Sequence, residues 1–145
     1  MRVKEILQRK PGAVITIREG ETIGTAARLL MRHGIGGLAV VNADGALTGF
    51  IGERDIVDVL HRHEGEVRHM QVARVMRRAP ACSLEDDVID VMARMTGERL
   101  RHLVAVDQDR PVGVISVGDI VKQRLGELEM ETGVLRDYVA AQRAV

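Results

Sequence analysis

GVISVGDIV, residues 113–121, and GFIGERDIV, residues 49–57, carry one pattern at two places in the chain. Each stretch has a glycine, a pair of apolar residues and a final Asp-Ile-Val, and only the middle positions differ. An apolar run that passes through a glycine or serine into a new apolar period is typical of a strand leading into a helix. The recurrence predicts a chain built from two copies of one structural unit.

The residues before the two stretches repeat as well. Residues 21–41 align with residues 86–106 at an offset of 65, and both copies place apolar residues at helical spacing. Two short apolar runs then flank a polar turn in each copy, which predicts a hairpin. An extended run, residues 14–17 or 81–83, precedes the first helix. The predicted unit is β-α-β-β-α, and the fold class is α/β (α+β).

The repeats set the expected domain boundaries. Repeat 1 is predicted to span residues 1–62 and repeat 2 residues 72–127, with a polar linker at residues 63–71. Halves of this size rarely form separate cores, so we expect one shared core. Residues 128–145 are predicted to form a C-terminal helical tail that breaks near Gly133, since glycine costs a helix about 1 kcal/mol. The apolar stripe of this tail packs either on its own module or between subunits.

Composition excludes several classes of protein. The 21 basic and 21 acidic side chains balance, so no basic field attracts nucleic acid. Aromatic residues make up 1% of the chain, too few for base-stacking platforms. No apolar run reaches the length of a membrane span, and the first residues lack a signal peptide pattern. The lone Cys82 has no disulfide partner. We therefore expect a cytoplasmic protein with no nucleic-acid or membrane partner.

Catalytic and metal sites are not predicted. His61, His63 and His69 lie in or beside the linker at a spacing that fits no structural zinc site, and cysteine partners are missing. Cys82 lies in a short predicted strand, where a buried apolar role is favoured over a nucleophile. Neither a local catalytic triad nor a phosphate-binding glycine loop is found, so we predict that the protein is not an enzyme.

The repeated stretch allows two interpretations. Ser116 follows a strand and precedes a helix, with Asp119 three residues later, and this spacing is close to that of a capping box needing no ligand. A helix N-terminus also suits a phosphate, and a carboxylate accepting two hydrogen bonds suits the hydroxyls of a ribose. Asp55 recurs in the first copy, where Gly52 offers no hydroxyl. The residues alone leave both interpretations open.

The doubled pattern, together with RHLVAVD at residues 101–107, resembles a tandem pair of CBS domains, the repeats named after cystathionine beta-synthase. The resemblance covers nearly the whole chain. It implies two repeats packed through their sheets about a pseudo-two-fold axis, and two such modules forming a homodimer. It also implies a regulatory module that binds an adenosine-type nucleotide: AMP, ADP or ATP, or else NAD(H) or S-adenosylmethionine. No cofactor is required, and any regulated partner protein is unidentified. The alternative is a ligand-free CBS dimer that acts as a scaffold.

Similar modules build each nucleotide cleft from both repeats, which implies two unequal sites in this chain. The first would combine Ser116, Asp119, Ile15, Gly36 and Gly37. The second would combine Gly52, Asp55, Pro80, Arg101 and His102.

The resemblance assigns the aspartate to the ribose and the serine to the phosphate or the sugar. The first site has the hydroxyl but no cation at its glycines, so a phosphate there would rest on backbone amides, Arg54, Arg32 or solvent. The second has the cations Arg101 and His102 but no hydroxyl. We expect the sugar at Ser116 and Asp119, and any polyphosphate at Arg101 and His102.

Overall fold

The computed structural model describes residues 1–143, and it divides them into two similar halves. The elements in chain order are α1 (Val3–Arg9), β1 (Thr16–Arg18), α2 (Ile23–His33), β2 (Gly37–Val41), β3 (Leu47–Gly52), α3 (Glu53–Arg62), α4 (Val72–Val75), β4 (Ala81–Ser83), α5 (Val88–Glu98), β5 (His102–Asp107), β6 (Arg110–Ser116) and α6 (Val117–Arg143). The predicted β-α-β-β-α order is confirmed in both halves, and a short leading helix, α1 or α4, precedes each unit.

Each half contains a three-stranded sheet, with the order β1-β2-β3 in repeat 1 and β4-β5-β6 in repeat 2. The first strand runs parallel to the second, and the second pairs with the third as the predicted antiparallel hairpin. The register is the same in both sheets, since Thr16 lies opposite Ala39 and Ala81 lies opposite Val104. The two sheets are therefore equivalent strand by strand.

The hairpin turns differ between the repeats. In repeat 1 the Asn42 side-chain oxygen accepts hydrogen bonds from the amides of Asp44 (3.0 Å) and Ala46 (3.1 Å), and Gly45 adopts a φ of 83°. In repeat 2 the turn is shorter, with Gln108 and Asp109 at φ angles of 50° and 64°. Two successive positive φ values belong to the tight turns that join strands most directly. The leading helices differ in length as well, with seven residues in α1 and four in α4.

The apolar interior is divided, contrary to the single shared core expected from the sequence. One cluster lies under the sheet of repeat 1 and includes Ile23, Leu30 and Ile51, and a second lies under the sheet of repeat 2. A third, smaller cluster joins the opposite faces of the two sheets through Ala39, Phe50 and Val104. Each sheet is thus covered by helices on one face and by the other sheet on the second face. Short sheets with two covered faces can bury enough apolar surface for each half to form its own cluster.

The leading helices are exchanged between the two halves. Val3 of α1 is fully buried in the cluster of repeat 2, and Val72 of α4 is fully buried in the cluster of repeat 1. Backbone hydrogen bonds fix both helices, from the Val3 amide to the Asp86 carbonyl (2.9 Å) and from the Val72 amide to the Glu21 carbonyl (2.7 Å). Each half completes its core with a helix from the other half.

The last helix is longer than expected. α6 contains both the second helix of repeat 2 and the described part of the predicted tail, and it continues through Gly133 without the expected break. The final two residues of the tail, 144–145, lie outside the described residues. A glycine inside a helix is a cost of about 1 kcal/mol rather than a stop, so neighbouring helix formers can carry the helix through it. Over residues 1–143, no helix has both the length and the hydropathy needed to span a membrane.

Candidate functional site

The two repeated stretches form matched helix starts at the junction between the sheets. The Ser116 amide donates to Asp119 Oδ2 (2.8 Å), and the Asp119 amide donates to Ser116 Oγ (3.2 Å), which is a complete capping box. In repeat 1 the Gly52 amide donates to Asp55 Oδ2 (2.7 Å), and glycine supplies no return bond. Both aspartates therefore serve as helix caps, and this use leaves them open to further contacts.

Each aspartate also pairs with a cation from the segment that follows a leading helix. Lys10 Nζ lies 2.9 Å from Asp119 Oδ2, and Arg77 Nε lies 3.2 Å from Asp55 Oδ2. Lys10 belongs to repeat 1 and Asp119 to repeat 2, whereas Arg77 belongs to repeat 2 and Asp55 to repeat 1. The sequence analysis missed both cations. In the sequence, the only sign of these two cations is a basic residue shortly after each leading helix. The separation of these two basic residues along the chain differs from the offset that relates the rest of the repeats.

The first cleft is a cavity of about 370 Å³ beside Asp119. Its wall brings together all five residues predicted for the first site, Ser116, Asp119, Ile15, Gly36 and Gly37. The segment 10–15 forms one side along its whole length, and Val112 and Val114 of β6 add apolar surface. The size and the apolar lining are those of a pocket for a small organic ligand.

The charges in the first cleft are arranged around one carboxylate. Burial alone would raise the pKa of Asp119, but the hydrogen bonds from the Ser116 backbone and from Lys10 outweigh it and hold this pKa below its ordinary value. Asp119 is therefore ionised at neutral pH and can accept hydrogen bonds from hydroxyl groups. Lys10 provides the cation that the sequence analysis did not find at Gly36 or Gly37.

The second cleft has a volume of about 310 Å³ and lies at the start of α3. It contains four of the five residues predicted for the second site, namely Gly52, Asp55, Arg101 and His102. Pro80 is placed instead in an adjoining depression next to β4, where its carbonyl accepts from the Val104 amide (2.8 Å). Pro80 directly precedes β4, whose pairing with β5 begins at Ala81 opposite Val104.

Guanidinium groups dominate the second cleft. Four arginines line it, Arg54, Arg77, Arg99 and Arg101, and two carboxylates, Glu53 and Asp55, accompany them. Arg54, one of the cations considered for the first cleft, thus lies in the second, and Arg32 lines neither. A group of planar, permanently charged donors is suited to phosphate oxygens.

His102 and Gly36 line both clefts. The His102 ring lies 5.3 Å from the Phe50 ring, and Arg77 lies 5.1 Å from the centre of the same ring on Phe50. Burial and the nearby Arg77 charge lower the pKa of His102, so the imidazole is neutral at pH 7. Gly37 is required at this point, since a Cβ there would overlap the Phe50 ring. His102, supported from behind by the buried Phe50, thus lies at the boundary between the two clefts.

The chemical groups of the clefts can be compared with those elsewhere in the described chain. The one cysteine, Cys82, is buried, and burial followed by the Asp86 charge raises its pKa to about 11, which keeps the thiol protonated. Among the described residues, no group of three or more His, Cys, Asp or Glu side chains is placed to hold a metal ion. The first cleft offers a carboxylate, a hydroxyl and apolar walls, and the second offers cations.

Comparison with known proteins identifies the repeat. The CBS domain profile matches residues 3–62 and 72–126. The chain is 31% identical over 113 residues to inosine-5'-monophosphate dehydrogenase of Methanocaldococcus jannaschii, a match covering 77% of this chain but only 22% of that protein.

Solved structures match over most of their length. The CBS-domain containing protein ATU1752 from Agrobacterium tumefaciens is 35% identical, with a TM-score of 0.78 and coverage of 85% of this chain and 92% of that one. The CBS domain pair of protein MJ0100, solved in complex with 5-methylthioadenosine and S-adenosyl-L-methionine, is 28% identical with a TM-score of 0.77, and the match covers 88% of this chain and 98% of that one. Two copies of one profile, in the order and arrangement of solved CBS pairs, show that this chain belongs to the CBS domain family.

Proposed function

We propose that the protein is a regulatory CBS pair that binds an adenosine-type nucleotide in the first cleft. The observation that carries the proposal is the convergence of an ionised carboxylate, a hydroxyl and apolar walls on one cavity of about 370 Å³. Drug-sized and nucleoside-sized ligands occupy cavities of roughly 300–1,000 Å³ with few polar groups and mostly apolar linings. The cleft is therefore large enough for a nucleoside, and its few polar groups can fix the orientation of that nucleoside.

Each part of the ligand has a matching surface. The ribose hydroxyls would donate to Asp119, whose Oδ2 already accepts from Ser116 and Lys10 and whose Oδ1 is left for the ligand. The base would pack against Ile15, Val112 and Val114. The phosphate would meet Lys10 and extend past His102 toward the arginines of the second cleft. A chain of phosphates, as in ATP, would therefore draw on both clefts.

The comparison with MJ0100 supports an adenosine ligand. Both molecules in that structure, 5-methylthioadenosine and S-adenosyl-L-methionine, contain adenosine. At 28% identity across 88% of this chain, the two proteins share one arrangement of repeats, which supports a ligand of the same class. We propose that the ligand of this chain also contains adenosine. The choice among AMP, ADP, ATP, NAD(H) and S-adenosylmethionine depends on what the cations of the second cleft hold.

Signalling follows from the position of Lys10. A ligand shifts a conformational equilibrium only through different affinities for two states. A phosphate near Lys10 competes with Asp119 for the ammonium group, and Lys10 follows directly on α1, which packs on repeat 2. Binding in the first cleft would therefore act on the contact between the two halves. We propose that the module is a homodimer and that this change is read by a separate partner protein.

Thermal unfolding tests this proposal. The unfolding midpoint is measured with AMP, ADP, ATP, NAD, NADH and S-adenosylmethionine, with guanosine nucleotides as the control. A ligand at 100 times its dissociation constant stabilises the fold by about 2.7 kcal/mol, which raises the midpoint by several degrees. A dose-dependent rise restricted to adenosine ligands is expected. The absence of any rise would contradict nucleotide binding.

A ligand-free scaffold is the second candidate, and one observation favours it. Asp119 already accepts hydrogen bonds from Ser116 and Lys10, and Asp55 accepts from Gly52 and Arg77, so both aspartates have a structural role without a nucleotide. This candidate predicts a melting midpoint that none of the nucleotides changes, together with an intact homodimer.

A further inference from the structure

The C-terminal half of α6 exposes an unusual amount of apolar surface. From Leu128 to Arg143 every residue except Gly133 is exposed, and Ile120 near the start is the only residue of the described helix buried in the module. Most of the stability of a helix in a protein comes from packing of its apolar face, and Gly126 and Gly133 weaken this helix further. A contact along the exposed apolar face would therefore stabilise this part of the helix.

Five of the nine large apolar side chains that α6 exposes follow a coiled-coil spacing. Six side chains recur at alternating intervals of four and three residues: Val121, Leu125, Leu128, Thr132, Leu135 and Val139. This is the heptad repeat that brings two helices together along one seam. The five apolar members are between 46% and 64% exposed in the single chain. The seam is continuous over nearly the whole of α6.

The weak points of the helix lie away from the seam. Gly126 and Gly133 occupy the same position of successive heptads, directly after a seam residue and on the outer side of the helix. A glycine there removes no contact from a paired seam. Thr132 is the single polar member, and one polar residue in a seam is a known means of fixing the register of a coiled coil.

The charges beside the seam favour one orientation. In a parallel pair aligned in register, Arg124 faces Glu129 of the second copy and Glu131 faces Arg136 of the second copy, so both flanking contacts join opposite charges. In the single chain Arg124 contacts Glu127 at 2.8 Å, an exposed pair that is easily exchanged. An antiparallel pair that keeps all six seam positions matched would instead place Glu129 opposite Glu129 and Glu131 opposite Glu131.

We propose that α6 pairs with α6 of a second copy of this chain in a parallel two-stranded coiled coil from Val121 to Val139. This inference rests on the homodimer included in the proposed function, and it names the surface and the orientation of the subunits. The two modules then lie at the same end of the coil, with both N-terminal ends of α6 side by side.

Disulfide trapping tests the pairing. A parallel coil in register brings the two copies of residue 132 to within the Cα separation that a disulfide requires, about 4.4–6.8 Å, and keeps the outward-facing residue 130 apart. Thr132→Cys is therefore expected to give a covalent dimer under mild oxidation. The matched control Met130→Cys is expected to form no such dimer. The native Cys82 is buried with its thiol protonated, so the unmodified chain is expected to stay monomeric on a denaturing gel. Equal cross-linking of the two variants, or none in either while the fold melts normally, would overturn the proposal.

Charge reversal provides a second test of the orientation. Two variants are made in the Thr132→Cys chain. Glu129→Arg with Glu131→Arg makes all members of these flanking charge pairs basic. Arg124→Glu with Arg136→Glu makes all of them acidic. Each variant alone is expected to lose the disulfide, and an equal mixture of the two is expected to recover it as a heterodimer. Undiminished cross-linking of either variant alone would refute the parallel arrangement.

Melting of the same variants with adenosine nucleotides separates this proposal from nucleotide binding. Loss of the cross-link with an intact nucleotide response contradicts the coiled coil alone. An intact cross-link without a nucleotide response contradicts the proposed ligand alone.

Discussion

Replacing Asp119 by alanine tests the first cleft directly. The carboxylate is ionised, and Asp119 lines a cavity sized for a nucleoside. A hydrogen bond to a charged group contributes about 1.5–3 kcal/mol, so the loss of two ribose contacts at the lower value costs about 3 kcal/mol. Each 1.4 kcal/mol is a factor of ten, and the dissociation constant should therefore rise about 100-fold. Isothermal titration of the adenosine ligand chosen by the melting panel measures this change.

Asp55→Ala is the matched control for this experiment. It removes the same capping contact, since Asp55 Oδ2 accepts from the Gly52 amide at 2.7 Å, and it also frees an arginine, Arg77. Its effect on stability should resemble that of Asp119→Ala, at about 1 kcal/mol for a lost cap. Its effect on first-cleft affinity should be small. Unchanged affinity in a folded Asp119→Ala protein, or equal losses in both variants, would refute the assignment of the ribose to Asp119.

Three further predictions concern the fold and its titration. Gly37→Ala should lower the free energy of unfolding by about 1–3 kcal/mol in a urea titration, because its methyl group overlaps the Phe50 ring. Cys82 should resist alkylation in the native protein up to alkaline pH and react on unfolding, since its pKa is raised to about 11; fast reaction at neutral pH would show that the thiol is not buried. The Lys10 pair and the Ser116 amide lower the pKa of Asp119 despite its burial, so the stability it adds is complete above pH 3.8 and is lost as pH falls through the lower folded value. In the Asp119→Asn variant, the free energy of unfolding should fall less as the pH is lowered. The same fall in stability with acid as in the unchanged protein would contradict this prediction.

Repetition made most of the fold predictable. The offset between the two copies identifies α2, the hairpin and the second helix in both halves, because each has a periodic pattern of its own. The four-residue leading helix α4 could be recognised only because its sequence resembles that of α1. Neither sequence pattern indicates on which half of the protein its helix packs. The exchange of these helices depends on contacts between residues far apart in the chain, which local periodicity does not contain.

The candidate clefts were predictable in part. The residues of the first cleft came from the repeated stretch and the family resemblance, and the structure places them around one cavity. Lys10 and Arg77 were missed because each contributes its charge to the opposite repeat. Pro80 was assigned to the second cleft because it is the counterpart of Ile15, but it lines the adjoining depression beside β4 instead. The predicted break at Gly133 failed because one glycine is a small energetic cost in a long helix.

The exchange of the leading helices has a consequence for synthesis of the protein. α1 is translated before the sheets of both repeats, yet its burial surface includes Val88, Leu103 and Ile115, which are translated only after repeat 1. Its apolar face must remain uncovered while repeat 1 is made, whereas α4 appears when its own surface is already complete. Repeat 1 can therefore complete its apolar core as soon as α4 has left the ribosome. Repeat 2 completes its core last, on α1, whose apolar face has stayed exposed while all of repeat 1 was translated. During that interval the exposed apolar surface makes the nascent chain prone to aggregation and to chaperone binding.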